Sequence, residues 1–450
     1  MLKISGIKLP KMNSLRIIAL SFLIVILIGA SLLSLPISSK TGTFTNFLDC
    51  LFTATSATCV TGLVVVDTFT HWTIFGQCVI LLLIQIGGLG FMTLLTILMM
   101  FAKRHVTLHE IRILTQSAGN VRKDGIFTLV RHILFGTLIV EGIGTIILAF
   151  VFCPDMGFGQ GLYFALFHSV SAFCNAGFDL LGCRAPFSSL TTYSSNIIIN
   201  LTISGLIIVG GLGFYVWDDL IRCRFKFKKL ELHSKTVIIT TLTLIISGWL
   251  LIFFLEYDHA LAGRDTGEKL LASFFQSVTT RTAGFDSINQ ANLSDSGIIV
   301  SVFLMLTGGS PGSTAGGIKT TTLAVIILST ITCARGREST VIFKRRIEPS
   351  VVHQAHTTAA VYLFLAISSV ILICSIDGIS MRDCMFEVAS AMGTVGLTTG
   401  VTPTLSAASH IILILLMYAG RLGAMSLMLV FANREKHVPL ERPYGKIIIG

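Results

Sequence analysis

The stretch SVTTRTAGFDS, residues 277–287, carries a charge, several hydroxyls, a glycine and an acid, and apolar runs flank it on both sides. Irregular backbone at membrane depth leaves N–H and C=O groups without partners. It is tolerated only where protein buries it or where it lines a watery cavity. Reading this stretch decides between a plain bundle of spanning helices and a bundle built around re-entrant loops.

The composition sets the class. Hydrophobic residues make up 53% of the 450 residues and charged residues 12%, with a mean hydropathy of +0.82. Many apolar runs approach the roughly 20 residues that cross a hydrocarbon core. The chain reads as an all-α polytopic membrane protein. The first run, 15–35, follows Lys3, Lys8 and Lys11 and includes Arg16, but it exceeds the about 7–15 residues of a signal-peptide core. It reads as a first spanning helix. The ten cysteines form no CxxC pair and suggest neither disulfides nor zinc. His105 and His109, beside Glu110, read as solvated histidines.

The net charge of +10 is uneven. Lys103, Arg104, Arg112, Arg122, Lys123 and Arg131 share one connection. Arg222, Arg224, Lys226, Lys228, Lys229 and Lys235 share a second, and Arg335, Arg337, Lys344, Arg345 and Arg346 a third. The alternate connections are poor in base. This pattern puts the basic loops and both termini in the cytoplasm. Without interleaved aromatics it gives no reason to expect nucleic-acid binding.

Four segments align without gaps: FTATSATCVTG (52–62), FHSVSAFCNAG (167–177), FFQSVTTRTAG (274–284) and FEVASAMGTVG (386–396). Each opens on Phe and closes on Gly. Ser56, Ser171 and Ser390 share one offset, which Val278 takes in the third segment. A spanning run precedes each segment, at 15–35, 127–152, 236–256 and 356–376. Another follows, at 74–101, 194–217, 296–332 and 407–431. The expected architecture is four helix–re-entrant half-helix–helix repeats, eight spanning helices in all, around a central pore. The repeats are 14–103, 126–221, 235–333 and 355–432, with a cytoplasmic tail at 433–450.

Four glycine loops can ring one axis. Each half-helix would aim its partly negative C-terminus at that axis. Loop carbonyls can replace the water around a monovalent cation, and glycine takes the backbone angles this needs. Asp67, Asp179 and Asp286 follow the glycines. They would either draw cations to an outer mouth or cap the next helix.

TCVTGLV (58–64), FCNAGFD (173–179), TTRTAGFD (279–286) and MGTVGLTTG (392–400) resemble the Trk/Ktr/HKT superfamily of potassium transporters. LTGGSPGSTAGGIKTTT (306–322) and YAGRLGA (418–424) do so too, and one span before the first motif resembles the Ktr membrane subunit. The resemblance implies a potassium uptake protein of the bacterial inner membrane, not an enzyme. It implies a K+ filter of Val60, Thr61, Gly62, Asn175, Ala176, Gly177, Thr282, Ala283, Gly284, Thr394, Val395 and Gly396. Na+ would be an activator or coupling ion. The implied partners are a second copy, in a homodimer, and a cytoplasmic nucleotide-binding regulatory ring, a KtrA-type RCK protein binding ATP, ADP or NAD, besides the membrane lipid. The tail ERPYGKIIIG (441–450) and the basic loops at 103–131 and 222–235 are the expected docking elements.

Residues 307–319, TGGSPGSTAGGIK, interrupt the third unit's second helix. Gly312 and Gly317 resemble a phosphate loop, but Ile318 displaces Lys319 from the required position and no strand precedes. The stretch is a flexible kink or a gate, and the resemblance implies a gate formed by Gly308, Gly309, Gly312, Ser313, Gly316, Gly317 and Lys319, with Arg421 facing it. IGGLGF (86–91) and VGGLGF (209–214) suit close helix packing. The competing reading is an ion-coupled secondary transporter for another small solute. Against it stand the fourfold repeat and the near-absence of acids from the spans, Glu141 excepted. No nucleophile–base pair lies within the spans.

Overall fold

The computed structural model of the chain describes residues 3–4, 7–8, 14–90, 126–337 and 339–423. The tail 433–450, His105, His109 and most of the 103–131 loop lie outside the described residues.

Four groups of helices follow one another. The first is α1 (Ser14–Leu33), α2 (Phe47–Cys59), a single turn α3 (Thr68–His71) and α4 (Ile74–Leu89). The second is α5 (Ile126–Met156), α6 (Phe158–Cys174), α7 (Ile197–Gly211) and α8 (Phe214–Arg222). The third is α9 (Leu232–Glu256), α10 (Thr266–Thr279), α11 (Asp295–Leu306) and α12 (Thr320–Ala334). The fourth is α13 (Pro349–Asp377), α14 (Met381–Gly393) and α15 (Ala407–Leu422). Polar residues open the short helices. Asn46, Thr73, Asn196, Asp265, Ser294, Ser380 and Ser406 each accept a first-turn amide, which satisfies donors that the helix itself leaves orphaned.

Among the described residues, α1, α5, α9 and α13 are long and apolar enough to cross a membrane, and α7 with α8 forms a fifth candidate bent by 91°. The long helices carry exposed Ile28, Phe150, Phe254 and Phe364, a wall that suits lipid better than water.

The short helices α2, α6, α10 and α14 sit inside. Each packs against the long helix of its own group: α1, α5, α9 and α13. Each also packs against the second helix of the preceding group. Thus α4 meets α6, α7 meets α10, α11 meets α14, and α15 returns to α2. The packing closes into a cycle.

Two sequence expectations need correction. The runs 74–101, 194–217 and 407–431 do not form single helices through their described residues. Each stops at a glycine with left-handed φ: Gly90 (+80°), Gly213 (+92°) and Gly423 (+83°). Hydropathy sees an unbroken apolar run there, whereas a positive φ ends the helical ladder. The glycine of close packing lies three residues earlier. A Cβ on Gly87, Gly210 or Gly420 would strike the carbonyl of Thr58, Phe173 or Met392 respectively.

The gap-free alignment also fails in the third group. Phe275, not Phe274, is the fully buried aromatic. Thr279 Oγ1 donates to Phe285 O at 2.8 Å, as Ser171 Oγ donates to Phe178 O at 2.7 Å. The Ala283 amide reaches Thr279 O at 2.9 Å, where Ala176 reaches Ser171 O at 2.8 Å. Thr279, rather than Val278, holds the serine position, and the turn to the glycine is one residue shorter.

Candidate cation-binding site

The inner helices end on matching turns. Two residues before each glycine the chain enters the left-handed region, at Val60 (φ 59°), Asn175 (60°), Thr282 (73°) and Thr394 (52°). The glycines follow with φ of 97° at Gly62, 68° at Gly177, 79° at Gly284 and 99° at Gly396. A non-glycine residue in this region is strained. Four occurrences at one offset mark a built feature.

The four turns meet. A Cβ on Gly62 would lie 3.1 Å from Gly177 Cα, and one on Gly177 would lie 2.9 Å from Gly284 Cα. One on Gly284 would lie 3.1 Å from Gly396 Cα, and one on Gly396 would lie 2.9 Å from Gly62 Cα. The nearest atom in each case is the carbonyl oxygen of Ala176, Ala283, Val395 or Thr61. Thus all twelve residues named from the sequence come together at one place, and all twelve are buried. Among the described residues, none of those four carbonyls accepts a hydrogen bond. Buried carbonyls are nearly always paired, so four clustered free ones are suited to a dehydrated cation.

Side chains fix these turns from behind. Ser56 Oγ accepts the Gly62 amide and Ser390 Oγ the Gly396 amide, both at 3.0 Å. With its amide turned to satisfy both ends, Asn175 donates to Ala172 O at 3.1 Å and Ile207 O at 3.3 Å. The acids are engaged locally. Asp67 caps α3 through the Thr70 amide at 2.7 Å and accepts the Phe187 amide at 2.9 Å. Asp179 accepts the Leu181 amide at 2.9 Å, and Asp286 accepts Gln290 Nε2 at 2.8 Å.

Residues 307–319 lie beside this cluster. The ends of the loop pair, Gly308 N to Ile318 O at 2.9 Å and Ile318 N to Leu306 O at 3.1 Å. Ser310 N donates to Gly211 O at 3.1 Å, and the Phe214 amide donates to Gly312 O at 3.0 Å. A Cβ on Gly316 would collide with Thr394 Oγ1, and one on Gly309 would meet Ala315 Cβ at 2.6 Å. Ser313 Oγ closes a turn on Ser310 O at 2.7 Å, while Gly317 takes φ +68° within 3.3 Å of Gly393 O for an added Cβ. Lys319 Nζ folds back onto Ala315 O at 2.7 Å and Gly316 O at 3.4 Å, so it is already committed to its own loop. Arg421 donates to Thr314 O, Gly87 O and Gly88 O.

Sequence reasoning missed Arg281. Its Nη2 donates to Gly308 O at 3.3 Å, tying the third turn to the loop. An arginine in the re-entrant stretch itself was the available signal.

Comparisons with known proteins agree with this geometry. A profile of the family described as TrkH, cation transport protein, matches residues 4–438. The chain is 41% identical to the potassium/sodium uptake protein NtpJ of Enterococcus hirae over 98% of each chain. It is 38% identical to the Ktr system potassium uptake protein B of Bacillus subtilis, covering 99% of this chain and 98% of that one. The crystal structure of the potassium transporter TrkH from Vibrio parahaemolyticus has the same fold, with TM-score 0.74 at 16% identity, over 95% of this chain and 86% of the other. The matched family is one of transporters, not of enzymes. The chain belongs to the TrkH family of cation transport proteins, within the Trk/Ktr/HKT superfamily of multi-pass membrane proteins.

Proposed function

We propose that the chain is the potassium-conducting subunit of a Ktr-type uptake system. One observation carries the reading: the four glycine turns approach one another in a closed cycle, with an unpaired carbonyl beside each glycine. In this reading the filter is the set Val60–Gly62, Asn175–Gly177, Thr282–Gly284 and Thr394–Gly396. The inner helices are re-entrant, and the long helices together with the broken second helices make eight spans in four repeats. Relatives named as potassium uptake proteins support K+ as the transported ion, and the name potassium/sodium uptake protein supports a role for Na+ as activator or coupling ion.

The loop 307–319 is the gate in this reading, with Gly308, Gly309, Gly312, Ser313, Gly316 and Gly317 supplying its turns and Lys319 and Arg421 holding its carbonyls. Two copies form a homodimer, and a cytoplasmic nucleotide-binding ring biases the gate. The experiment is potassium uptake in a transport-deficient host, with and without sodium. The reading expects restored growth at low potassium. A well-expressed chain that restores none sinks it.

A further inference from the structure

The base-rich side of the molecule carries two turns with an unusual pairing of charge and aromatic surface. After α8 the chain turns through Arg224 (φ 51°) and Phe225 (φ 58°). Phe225 is 75% exposed and Phe227 44% exposed, between exposed Arg224, Lys226, Lys228 and Lys229, so aromatics do interleave with base in this loop, contrary to the expectation from sequence. After α12 a hairpin pairs Val341–Ile342 with Arg345–Arg346. Its tip, Phe343 and Lys344, has φ of 46° and 64°, the two left-handed positions of a tight hairpin turn. Phe343 is 46% exposed there.

Both turns are anchored to the same part of the fold. Buried Asp219 accepts the Glu231 amide at 2.9 Å and Arg222 Nη2 at 3.1 Å, while Arg222 Nη2 also reaches Glu231 Oε1 at 2.7 Å. These bonds fix the ends of the first turn and occupy its acids. In the second turn, Ile342 is buried with Val325 and Ala355, and Leu232 at the head of α9 packs against the same cluster. Among the described residues, no carboxylate forms an ion pair with Arg224, Lys226, Lys228, Lys229 or the Lys344–Arg346 run.

We propose that the 222–229 turn and the 341–346 hairpin form one binding site for an anionic glycerophospholipid of the cytoplasmic leaflet. The proposal rests on reading the chain as a membrane transporter with its basic loops in the cytoplasm. The lysines and arginines face the phosphate, and Phe225 and Phe343 sit at the acyl boundary. Position favours lipid over the cytoplasmic ring that the sequence suggested for the 222–235 loop. The apolar wall of α9, with exposed Ile239, Leu242 and Ile246, begins about two turns into the helix that follows these charges. An acidic protein surface would match the charge but gives no reason for exposed phenylalanines where that wall ends.

The test uses the full-length protein in phosphatidylcholine nanodiscs with and without phosphatidylglycerol. Native mass spectrometry counts retained phosphatidylglycerol, and potassium flux in phosphatidylcholine liposomes is read separately. The variant Arg224→Gln, Lys226→Gln, Lys228→Gln, Lys344→Gln is expected to lose retained phosphatidylglycerol by about tenfold, since each base near an anionic surface contributes appreciably. Phe225→Ser with Phe343→Ser is expected to lose it in part. The exposed pair Lys226→Gln, Lys228→Gln serves if the fourfold variant does not fold. Retention equal to the parent in folded variants overturns the proposal. Loss of the response to a cytoplasmic ring with lipid retention unchanged assigns the surface to a protein and overturns it too. Absence of flux in the parent would count against the transport reading alone.

Discussion

Arg421 donates through Nη1 to the carbonyl of Thr314, joining the last described helix to the loop that breaks the third group's second helix. Its Nη2 meanwhile serves Gly87 O and Gly88 O in α4. One side chain of the fourth group therefore touches the first and third groups together. Hydrogen bonds from a charged group are worth about 1.5–3 kcal/mol each, and truncation removes all of them at once.

Arg421→Ala is expected to loosen the loop and raise potassium flux several-fold in liposomes holding the purified subunit alone. Arg421→Lys should fall between variant and parent, because one ammonium keeps the charge but not the fork that spans both partners. Flux in Arg421→Ala no higher than in the parent would dismiss the latch.

The turn glycines predict a different signature. Replacing Gly62, Gly177, Gly284 or Gly396 with Ser forces a side chain into left-handed backbone and into the next turn's carbonyl. Strain of about 1–3 kcal/mol per site corresponds to roughly tenfold weaker potassium affinity or more. The measurement is uptake against external potassium at matched expression. Four variants with the parent's affinity would remove these carbonyls from the ion path.

Much of this was legible because it rests on period and on glycine. Three of the long helices were found to within four residues at each end, while α13 begins at Pro349, seven residues before the expected start; the turn glycines share one offset. The ends of α4, α7 and α15 at a turning glycine were hidden, since a glycine inside an apolar run looks the same whether it packs or turns. The repetition was nevertheless printed in the sequence. GGLG at 87–90 and 210–213 and GRLG at 420–423 set the packing glycine three residues before the turning one. The deletion in the third turn left one trace, Val278 at the offset that Ser56, Ser171 and Ser390 share, but hydroxyl residues on both sides, Ser277 and Thr279, left the direction of the shift open.

That shift predicts which hydroxyl matters. Thr279→Val leaves Phe285 O without its donor in a buried turn, at a cost of about 1–3 kcal/mol. Val278→Thr restores the gap-free pattern but places its hydroxyl where no partner waits. The first variant should lower the unfolding midpoint and weaken uptake, and the second should not rescue it. Thermal unfolding in detergent with parallel uptake assays separates them. Equal loss in Val278→Ala and Thr279→Val would restore the original register.

The basic platform has an acid limit. The hydrogen bond from Tyr215, and then that from Arg222, hold the Glu231 carboxyl below its usual range. A depressed pKa contributes stability that is complete above the unfolded-state value and is lost as pH falls through the folded one. Amide exchange in Cys223–Leu230, corrected for intrinsic rates, should stay flat from neutrality down to about pH 5 and rise below about pH 4. Glu231→Gln should exchange faster at neutral pH and lose the acid dependence. An acid rise that survives in Glu231→Gln would point to another group, such as His233 beside Tyr215.

Deleting Gly312–Ala315 tests the loop itself. The loop is not slack: Ser310 binds Gly211 O, Thr314 Oγ1 binds Phe173 O at 3.3 Å, and Thr320 N binds Gly309 O at 3.1 Å. A passive kink held this tightly would serve only to join α11 and α12, and removing part of it would leave flux unchanged or misfold the chain. A gate obstructs the ion path, so a shortened loop should pass more potassium even without a cytoplasmic ring. The deletion keeps the Gly308–Ile318 and Ile318–Leu306 pairings that close the base of the loop, so the helices on either side keep their junction. It removes Gly312 O, Thr314 O and Ala315 O, which accept from Phe214 N, Arg421 and Lys319, together. Ser310→Ala, which withdraws only the hydroxyl bonds to Gly211 O and Leu212 O and keeps the backbone amide on Gly211 O, should raise flux in the same direction by a smaller factor. Monodisperse deletion protein whose liposome flux stays at or below the parent's, with Ser310→Ala likewise unchanged, would leave the loop a structural joint.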